Sequence, residues 1–477
     1  MKKRIMILGT SSSVGKSTIA TAFCKYFKDK GLDVSPYKAL NISLNSYITE
    51  DGDEIGRSQA VQAEACNIEP KEYMNPILMK PGGGKTQVIA RGKVLCTMNA
   101  YKYKELNDIL KEKAYEAFLL AEKEHEMLVL EGSGGCAELN LRKTDIANMN
   151  TALKTNTPVI LVADIEKGGV FASVVGTLSI LPKEEKRLIK GIIINKFRGN
   201  PEFFKEGVEI IENLTGVKVL GVMPYKKLNI EEEDGQTDIF KNKAKRKINI
   251  GVIKFPHMSN FTDLNYISTF DEIGVKYIEN KEELQSIDII VIPGSKNTIE
   301  DLRYIKANGF SKEIYKAKNE GKLILEICGG FQMLGKLLED PYEIEGNIKE
   351  EEGLNLLPIK TRFEKEKITK RTKVKDNLGM EIEGYEIHNG RSFSLDEDKM
   401  WLKDGERVVG MKCDNVYGTY LHGVLDNEEF IKHFIKDIEI KESYKSLKEK
   451  EYKKLKETLE ENIDMRYVEK IIEEWEY

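Results

Sequence analysis

The chain is predicted to fold as an α/β protein with two parallel-sheet domains, and three observations predict it. Short apolar, β-branched runs recur at Ile5–Leu8, Met127–Leu130, Val159–Val162 and Gly191–Ile194, with amphipathic stretches such as Ser17–Lys30 and Asn107–Lys123 between them. Continuous apolar strands alternating with helices indicate a parallel sheet covered on both faces. The pattern breaks between Ile230 and Lys247, where EEEDGQ and KNKAKRK carry no apolar period, and resumes at Ile248. Finally, 477 residues exceed the roughly 250–300 that one hydrophobic core serves.

Taken in order, residues 1–235 form the first domain and 236–247 a linker. Residues 248–440 form the second domain, with strands INIGVI from Ile248, IDIIVIPG at 287–294 and KLILEI at 322–327. Its later part offers shorter, more polar strand candidates at Gly384–His388 and Val416–Leu421. Residues 441–477 are rich in Lys and Glu with sparse Leu and Ile, which reads as a tail of exposed, solvated helices. There is no internal repeat.

Composition excludes several classes. Basic and acidic residues number 74 and 79, for a net charge of −5, so no positive field draws the chain to nucleic acid or an anionic membrane. No run approaches the ~18–20 apolar residues of a membrane span. The stretch Ile5–Leu8 is too short for a signal sequence, so the expected compartment is the cytoplasm. Six cysteines without a CxxC pair argue against a disulfide scaffold or structural zinc. The sequence carries no signature of oligomeric state.

The strongest local signal is GTSSSVGKS, Gly9 to Ser17, directly after the first strand and opening a helix. Small residues let backbone N–H groups curl around phosphate oxygens, and a helix N-terminus adds a favourable dipole. Thr10, Ser11, Gly15 and Thr18 belong to this nucleotide cradle. Lys16 would neutralise the outer phosphates of ATP, and the Ser17 hydroxyl would sit on Mg²⁺. The spelling departs from GxxxxGKS/T, because Thr10 holds the first-glycine position. Glu131 and Asp164 end apolar runs at carboxyl strand ends, where open α/β sheets bind ligands, and Glu131 is the candidate metal ligand. Asn195 ends the run GIIIN, where its amide could read a base edge or simply serve a turn.

In the second half, Cys328 stands between the strand ending at Ile327 and the small residues Gly329 and Gly330. This resembles the elbow that exposes a nucleophile on a tight turn, and the following helix N-terminus favours thiolate. His422, in Gly418-Thr-Tyr-Leu-His-Gly-Val424, is the natural base. Each alone is commonly a structural residue; the pairing is what suggests chemistry.

In order along nearly the whole chain, these motifs resemble the cobyric acid synthase family, glutamine-dependent amidotransferases of cobalamin biosynthesis. The resemblance rests on GTSSSVGKS, Pro36-Tyr-Lys-Ala-Leu-Asn-Ile-Ser-Leu-Asn45, Gly52-Asp-Glu-Ile-Gly-Arg57 leading to Gln59 and Gln62, and Leu78-Met-Lys-Pro81. It continues through Glu131-Gly, Asp145-Ile-Ala-Asn-Met149, Asp164-Ile-Glu-Lys-Gly-Gly-Val-Phe-Ala172 and Ile194-Asn-Lys-Phe-Arg-Gly199. The second half adds Ser259-Asn-Phe-Thr-Asp-Leu264, Pro293-Gly-Ser-Lys-Asn-Thr298, the Cys328 elbow, Gly384-Tyr-Glu-Ile-His388 and the His422 segment.

The resemblance implies a dethiobiotin-synthetase-like P-loop synthetase domain followed by a class I glutaminase-like domain. It implies an ATP-dependent carbon–nitrogen ligase with a corrinoid substrate and L-glutamine, amidating the b, d, e and g carboxylates of adenosylcobyrinic acid a,c-diamide through acyl phosphates. Gly294, Ser295 and Gly329 become oxyanion-hole candidates. Asn41, Asn45, Asp145 and Asp164 become candidates for the substrate and acyl-phosphate site. Leu40 and Cys136 depart from the family's usual residues near the presumed substrate side.

Ordinary triad glutaminases hold a glutamate two residues after the histidine, and here that position is Val424. The expectation is therefore a Cys–His dyad with a loosely held base, slow until the synthetase domain is loaded, unless Glu386 orients the ring. Three alternatives stand beside this reading. They are cobyrinic acid a,c-diamide synthase, a P-loop partition-type ATPase with a degenerate glutaminase-like appendage, and a free-standing glutaminase scaffold. The segment PYKALNISLNS argues against the first, the Cys328/His422 pair against the second, and the whole first domain against the third.

Overall fold

The structure, a computed structural model, describes residues 2–82, 85–99, 103–230 and 246–476. In the first domain, strands Val219–Pro224, Ile189–Phe197, Val159–Asp164, Lys3–Gly9, Met127–Glu131 and Val34–Tyr37 lie side by side in that order, all parallel. Side chains alternate across a strand, and Lys3–Gly9 sends Met6 and Leu8 into one core and Ile5 and Ile7 into the other. Because Ile7 pairs with Glu131 and Gly9 with Val162, the strand ends at Glu131 and Asp164 flank the loop that follows Gly9.

A small sheet (Leu40–Ile42, Ile77–Gly82, Lys85–Ala90, Lys93–Met98) and a hairpin (Ser46–Ile48 with Glu54–Gly56) are inserted after the edge strand. Neither has an apolar run long enough to announce it. The second domain carries five parallel strands, Ile273–Ile278, Ile248–Ile253, Ile289–Ile292, Leu323–Ile327 and Val416–Thr419, extended by the antiparallel Arg407–Cys413 and Met400–Asp404. The two-domain α/β class read from the sequence is the observed one.

Two differences stand out. A long hairpin, Ile359–Lys375 with Glu381–Ser394, occupies the region where the sequence offered only Gly384–His388. Its strands expose charged residues on one face, so no continuous apolar run marks them.

The C-terminal segment is the larger correction. Helices Tyr444–Asn462 and Met465–Glu474 are not a solvated tail. They return to the first domain and bury Tyr452, Leu455, Leu459, Met465, Val468 and Ile472 in its core beside Phe23 and Leu220. An apolar stripe at helical spacing was hidden among lysines and glutamates, several of which pair across the seam, as Lys25 with Glu449 and Lys448 with Glu64. The expected linker, 236–247, lies outside the described residues except for Arg246 and Lys247.

Candidate active site

Gly15 has a φ of 92° at the N-terminus of the helix Lys16–Asp29, a conformation glycine adopts without steric cost. A side chain there would also overlap the Asn195 amide. Lys16 Nζ lies across the loop, donating to Gly134 O (2.8 Å) and Ser11 O (3.2 Å). A cleft of about 930 Å³ opens over the loop, lined by Ser12, Ser13, Gly15, Lys16, Ser17 and Thr18. Leu264, Asn265 and Tyr277 of the second domain and Leu455 of the C-terminal helix close its far side.

Thr10 and Ser11 do not line this cleft. The Thr10 N–H is taken by Val162 O at 3.0 Å, continuing the sheet, so the cradle is shifted forward onto Ser12 and Ser13. Asn195 does line the cleft, but its Nδ2 donates to Val14 O (2.8 Å). That bond braces the phosphate loop.

Glu131 is fully buried and accepts from Ser17 Oγ (2.7 Å), Lys38 Nζ (2.9 Å) and Gln62 Nε2 (2.7 Å). Lys38 supplies the cation that makes a buried carboxylate tolerable. Among the described residues no three His, Cys, Asp or Glu side chains converge as a metal cage. A Mg²⁺ ion is held instead by one or two protein oxygens together with phosphates and water, and the adjacent Ser17 hydroxyl and Glu131 carboxylate fit that donor set.

The four substrate-site candidates are not brought together. Asn41 lines the cleft and donates to Gln59 Oε1 (3.1 Å). Asn45 is buried, its carbonyl accepting from Arg57 N (3.2 Å). Asp164 accepts from Glu166 N (2.8 Å) and faces Lys196 Nζ at 3.1 Å. The Asp145 carboxylate accepts the backbone N–H groups of Ala147, Asn148 and Asn150, starting the helix Met149–Lys154 as a cap does.

In the second domain Cys328 sits at φ 53°, ψ −105° between the strand Leu323–Ile327 and the helix Gly329–Met333. That strained turn is the elbow geometry the sequence suggested. Glycines are required beside it, because a Cβ on Gly329 would lie 2.7 Å from Ser295 N and one on Gly330 would overlap Ile292 O. Lys296 N donates to His257 O (2.9 Å). Successive amides of a paired strand alternate in direction, so the Ser295 N–H points away from that ladder, to the side where Gly329 lies. Gly294 abuts His422: a Cβ there would stand 3.2 Å from its Cε1.

The His422 imidazole is fully buried, and Cys328, whose thiol faces Ile387 O at 3.6 Å, is close enough to favour its charged form. Its Nδ1 lies 2.8 Å from Asp263 Oδ2, and the other oxygen of Asp263 accepts from Gly423 N (2.8 Å). Cys328, His422 and Asp263 thus stand in the order a Cys–His–Asp triad requires, with an orienting carboxylate where a dyad was expected. Val424 points into the apolar core. Glu386 is no partner, since Arg407, Thr372 and His388 take its carboxylate. Burial opposes charging His422, but the Asp263 carboxylate and Cys328 outweigh it and raise its pKa above the ordinary histidine value.

A small cavity beside Cys328 is lined by Ser295, Lys296, Gln332, Lys367 and Asn389, and by Lys80 of the first domain. Glu54 of the inserted hairpin, 1% exposed, bridges Lys80 (2.9 Å) and Lys367 (2.6 Å) across the domain boundary. Sequence reasoning assigned no role to Asp263, Lys38, Gln62, Glu54 or Lys80, although all fall within quoted motifs. The usable signal was charge in otherwise apolar segments.

Residues 249–430 match the CobB/CobQ-like glutamine amidotransferase domain and residues 5–238 the CobQ/CobB/MinD/ParA nucleotide binding domain. The chain is 55% identical to a cobyric acid synthase of Clostridium perfringens, covering 98% of this chain and 99% of that protein. It is 48% identical to one of Clostridium botulinum, over 99% of each, and 43% identical to one of Caldanaerobacter subterraneus, over 100% and 99%. With both domains present and the match running nearly end to end, the chain belongs to the cobyric acid synthase family, the ATP-dependent glutamine amidotransferases of cobalamin biosynthesis.

Proposed function

We propose that the protein amidates the b, d, e and g carboxylates of adenosylcobyrinic acid a,c-diamide, using ATP to form acyl phosphates and glutamine as the ammonia source. The observation that carries this reading is a Cys–His–Asp triad in one domain joined to a phosphate-loop cleft that both domains line.

A carboxylate oxygen is a poor leaving group. Its attack on the γ-phosphorus of ATP releases ADP and leaves an acyl phosphate, from which ammonia displaces phosphate to give the amide. Lys16 and the loop amides Ser12, Ser13 and Gly15 stabilise charge on the transferring phosphoryl group. Ser17 and Glu131 would hold Mg²⁺, which would supply positive charge to offset that of the phosphates. Lys38 and Gln62 hold Glu131 in place.

In the second site Cys328 yields its proton to His422 Nε2, and the thiolate attacks the glutamine carboxamide carbon. Asp263 fixes the tautomer and supports the imidazolium. The Ser295 and Gly329 amides receive the oxyanion. The C–N bond breaks as the imidazolium proton passes to the leaving nitrogen, giving ammonia and a thioester that water hydrolyses to glutamate. Lys296, Lys367 and Asn389 are the polar groups available to the amino-acid end of glutamine.

The test is incubation with ATP, Mg²⁺, glutamine and the corrinoid a,c-diamide, followed by product mass. Four successive carboxylate-to-amide steps support the reading, and an unchanged corrinoid mass contradicts it.

A further inference from the structure

One short turn, Phe261–Leu264, touches both sites. Asn260 and Asp263 contact His422, while Leu264 and Asn265 line the cleft over the phosphate loop. The amide of Asn260 has a defined direction. Ser46 N of the first domain donates to its Oδ1 at 3.0 Å, which turns Nδ2 toward His422 Nε2 at 3.3 Å. The same residue's carbonyl accepts the Tyr385 hydroxyl at 3.3 Å, and the Tyr385 ring stacks on His422 with centroids 5.1 Å apart. Ser46 thus meets, through its backbone alone, both Asn260 and Tyr385 beside the imidazole from across the domain boundary.

Nε2 is the nitrogen that must take the Cys328 proton. An amide N–H aimed at it requires its lone pair, so Asn260 favours neutral imidazole and opposes the imidazolium. The titratable groups facing the ring are Asp263, Cys328 and Tyr385; Asp263 favours the imidazolium, and Asn260 works against it.

We propose that Asn260 is a latch on the glutaminase base: held by Ser46, its amide occupies His422 Nε2, and ligand filling the cleft against Leu264 and Asn265 turns the Asn260 side chain off the imidazole while Asp263 keeps its hold on Nδ1. The latch rests on the assignment of Cys328 and His422 as the glutaminase site. It explains how occupancy of the synthetase cleft reaches the thiol through one displaced side chain, a physical coupling of the kind two-site communication requires.

The test uses Asn260→Gly in the full chain. Asn260 sits at φ 51°, ψ 44°, which glycine adopts freely, so the variant removes the amide without backbone strain. Glutamate release is measured with glutamine alone and with ATP plus the corrinoid a,c-diamide, and the pH profile of Cys328 alkylation by iodoacetamide is followed by peptide mapping. Release with glutamine alone should rise about fivefold, the worth of one neutral hydrogen bond, while the stimulated rate holds and the alkylation midpoint moves to lower pH. Asn260→Asp keeps an acceptor for Ser46 and presents an acceptor to Nε2, so its alkylation midpoint should fall further. Ammonia-dependent amidation reports that each variant is folded. An alkylation midpoint that stays at the parent's value in both folded variants, or a Gly variant whose two glutamate rates fall together, overturns the latch. If the parent releases no glutamate under any condition, the glutaminase assignment itself fails; if the parent is stimulated and the variants keep its ratio, only the latch fails.

Discussion

The Asp263 carboxylate lies 2.8 Å from Nδ1 of His422, and 159 residues separate the two along the chain. It completes a triad whose third member approaches from the turn after the first strand of its domain, not from the position two residues beyond the histidine. Asp263→Asn is predicted to lower glutamine-dependent turnover by about 10²–10⁴-fold, because the amide favours the wrong imidazole tautomer. Amidation with added ammonium should persist at the parent rate. A glutamine-dependent kcat within twofold of the parent would remove Asp263 from the mechanism.

Cys328 and Lys16 should dissociate the two half-reactions. Cys328→Ala is expected to lose glutamine-dependent synthesis while ammonium still supports amidation. Lys16→Ala is expected to lose both by about 10²-fold or more, since a preorganised charge on the phosphoryl group is removed. The comparison is made in one assay with either nitrogen source. A Cys328 variant that is also dead with ammonium would break the two-site assignment.

Glu54 joins the domains through Lys80 and Lys367. Burial raises its pKa, but the two ammonium groups outweigh burial and hold the carboxyl well below the ordinary carboxylate range. A carboxylate depressed in the folded state stabilises it fully above its unfolded pKa, ~4.3 for Glu, and progressively less as pH falls below that. Glu54→Gln should therefore cost about 3–5 kcal/mol at neutral pH, as expected when one member of a buried pair is removed, with the difference from the parent narrowing in acid. Chemical denaturation at several pH values measures this, and a difference that does not narrow toward low pH would contradict the ion-pair account.

The C-terminal helices should matter to the nucleotide domain. Val468 is fully buried in that domain's core, whereas Lys470 is not part of it. Val468→Asp is predicted to destabilise by about 3 kcal/mol or more, the cost of burying an unpaired charge. Lys470→Ala should stay within about 0.5 kcal/mol of the parent. A Val468→Asp variant with an unchanged melting temperature would mean that the helices do not share the first domain's core.

The parallel sheets were legible because their strands, such as Met127–Glu131 and Val159–Asp164, are apolar on both faces and stand out from any background. The phosphate loop and the Cys328 elbow were legible because each needs small residues at fixed spacing. Asp263 was not, because the orienting role depends on where the chain passes and carries no local spacing to His422. That omission removed the stated reason for expecting a loosely held base. Val468 and Leu455 were missed because lysines and glutamates dominate the composition around a three-to-four-residue stripe. The surroundings of Asp145 and Thr10 were not legible for a shared reason: a carboxylate or amide near a loop is often consumed by backbone hydrogen bonds, here those of Asn148 and Val162.

The central claim, that nitrogen released at Cys328 completes amides activated at the phosphate loop, is tested most directly by one labelled turnover. The enzyme is given ATP, Mg²⁺, the corrinoid a,c-diamide, and glutamine carrying heavy nitrogen in its side-chain amide, in the presence of excess unlabelled ammonium at neutral pH. Mass spectrometry of the corrinoid should find four new amides, each carrying the heavy nitrogen of glutamine. Four amides labelled only in proportion to the bulk pool, or a corrinoid with no new amides, would contradict the account.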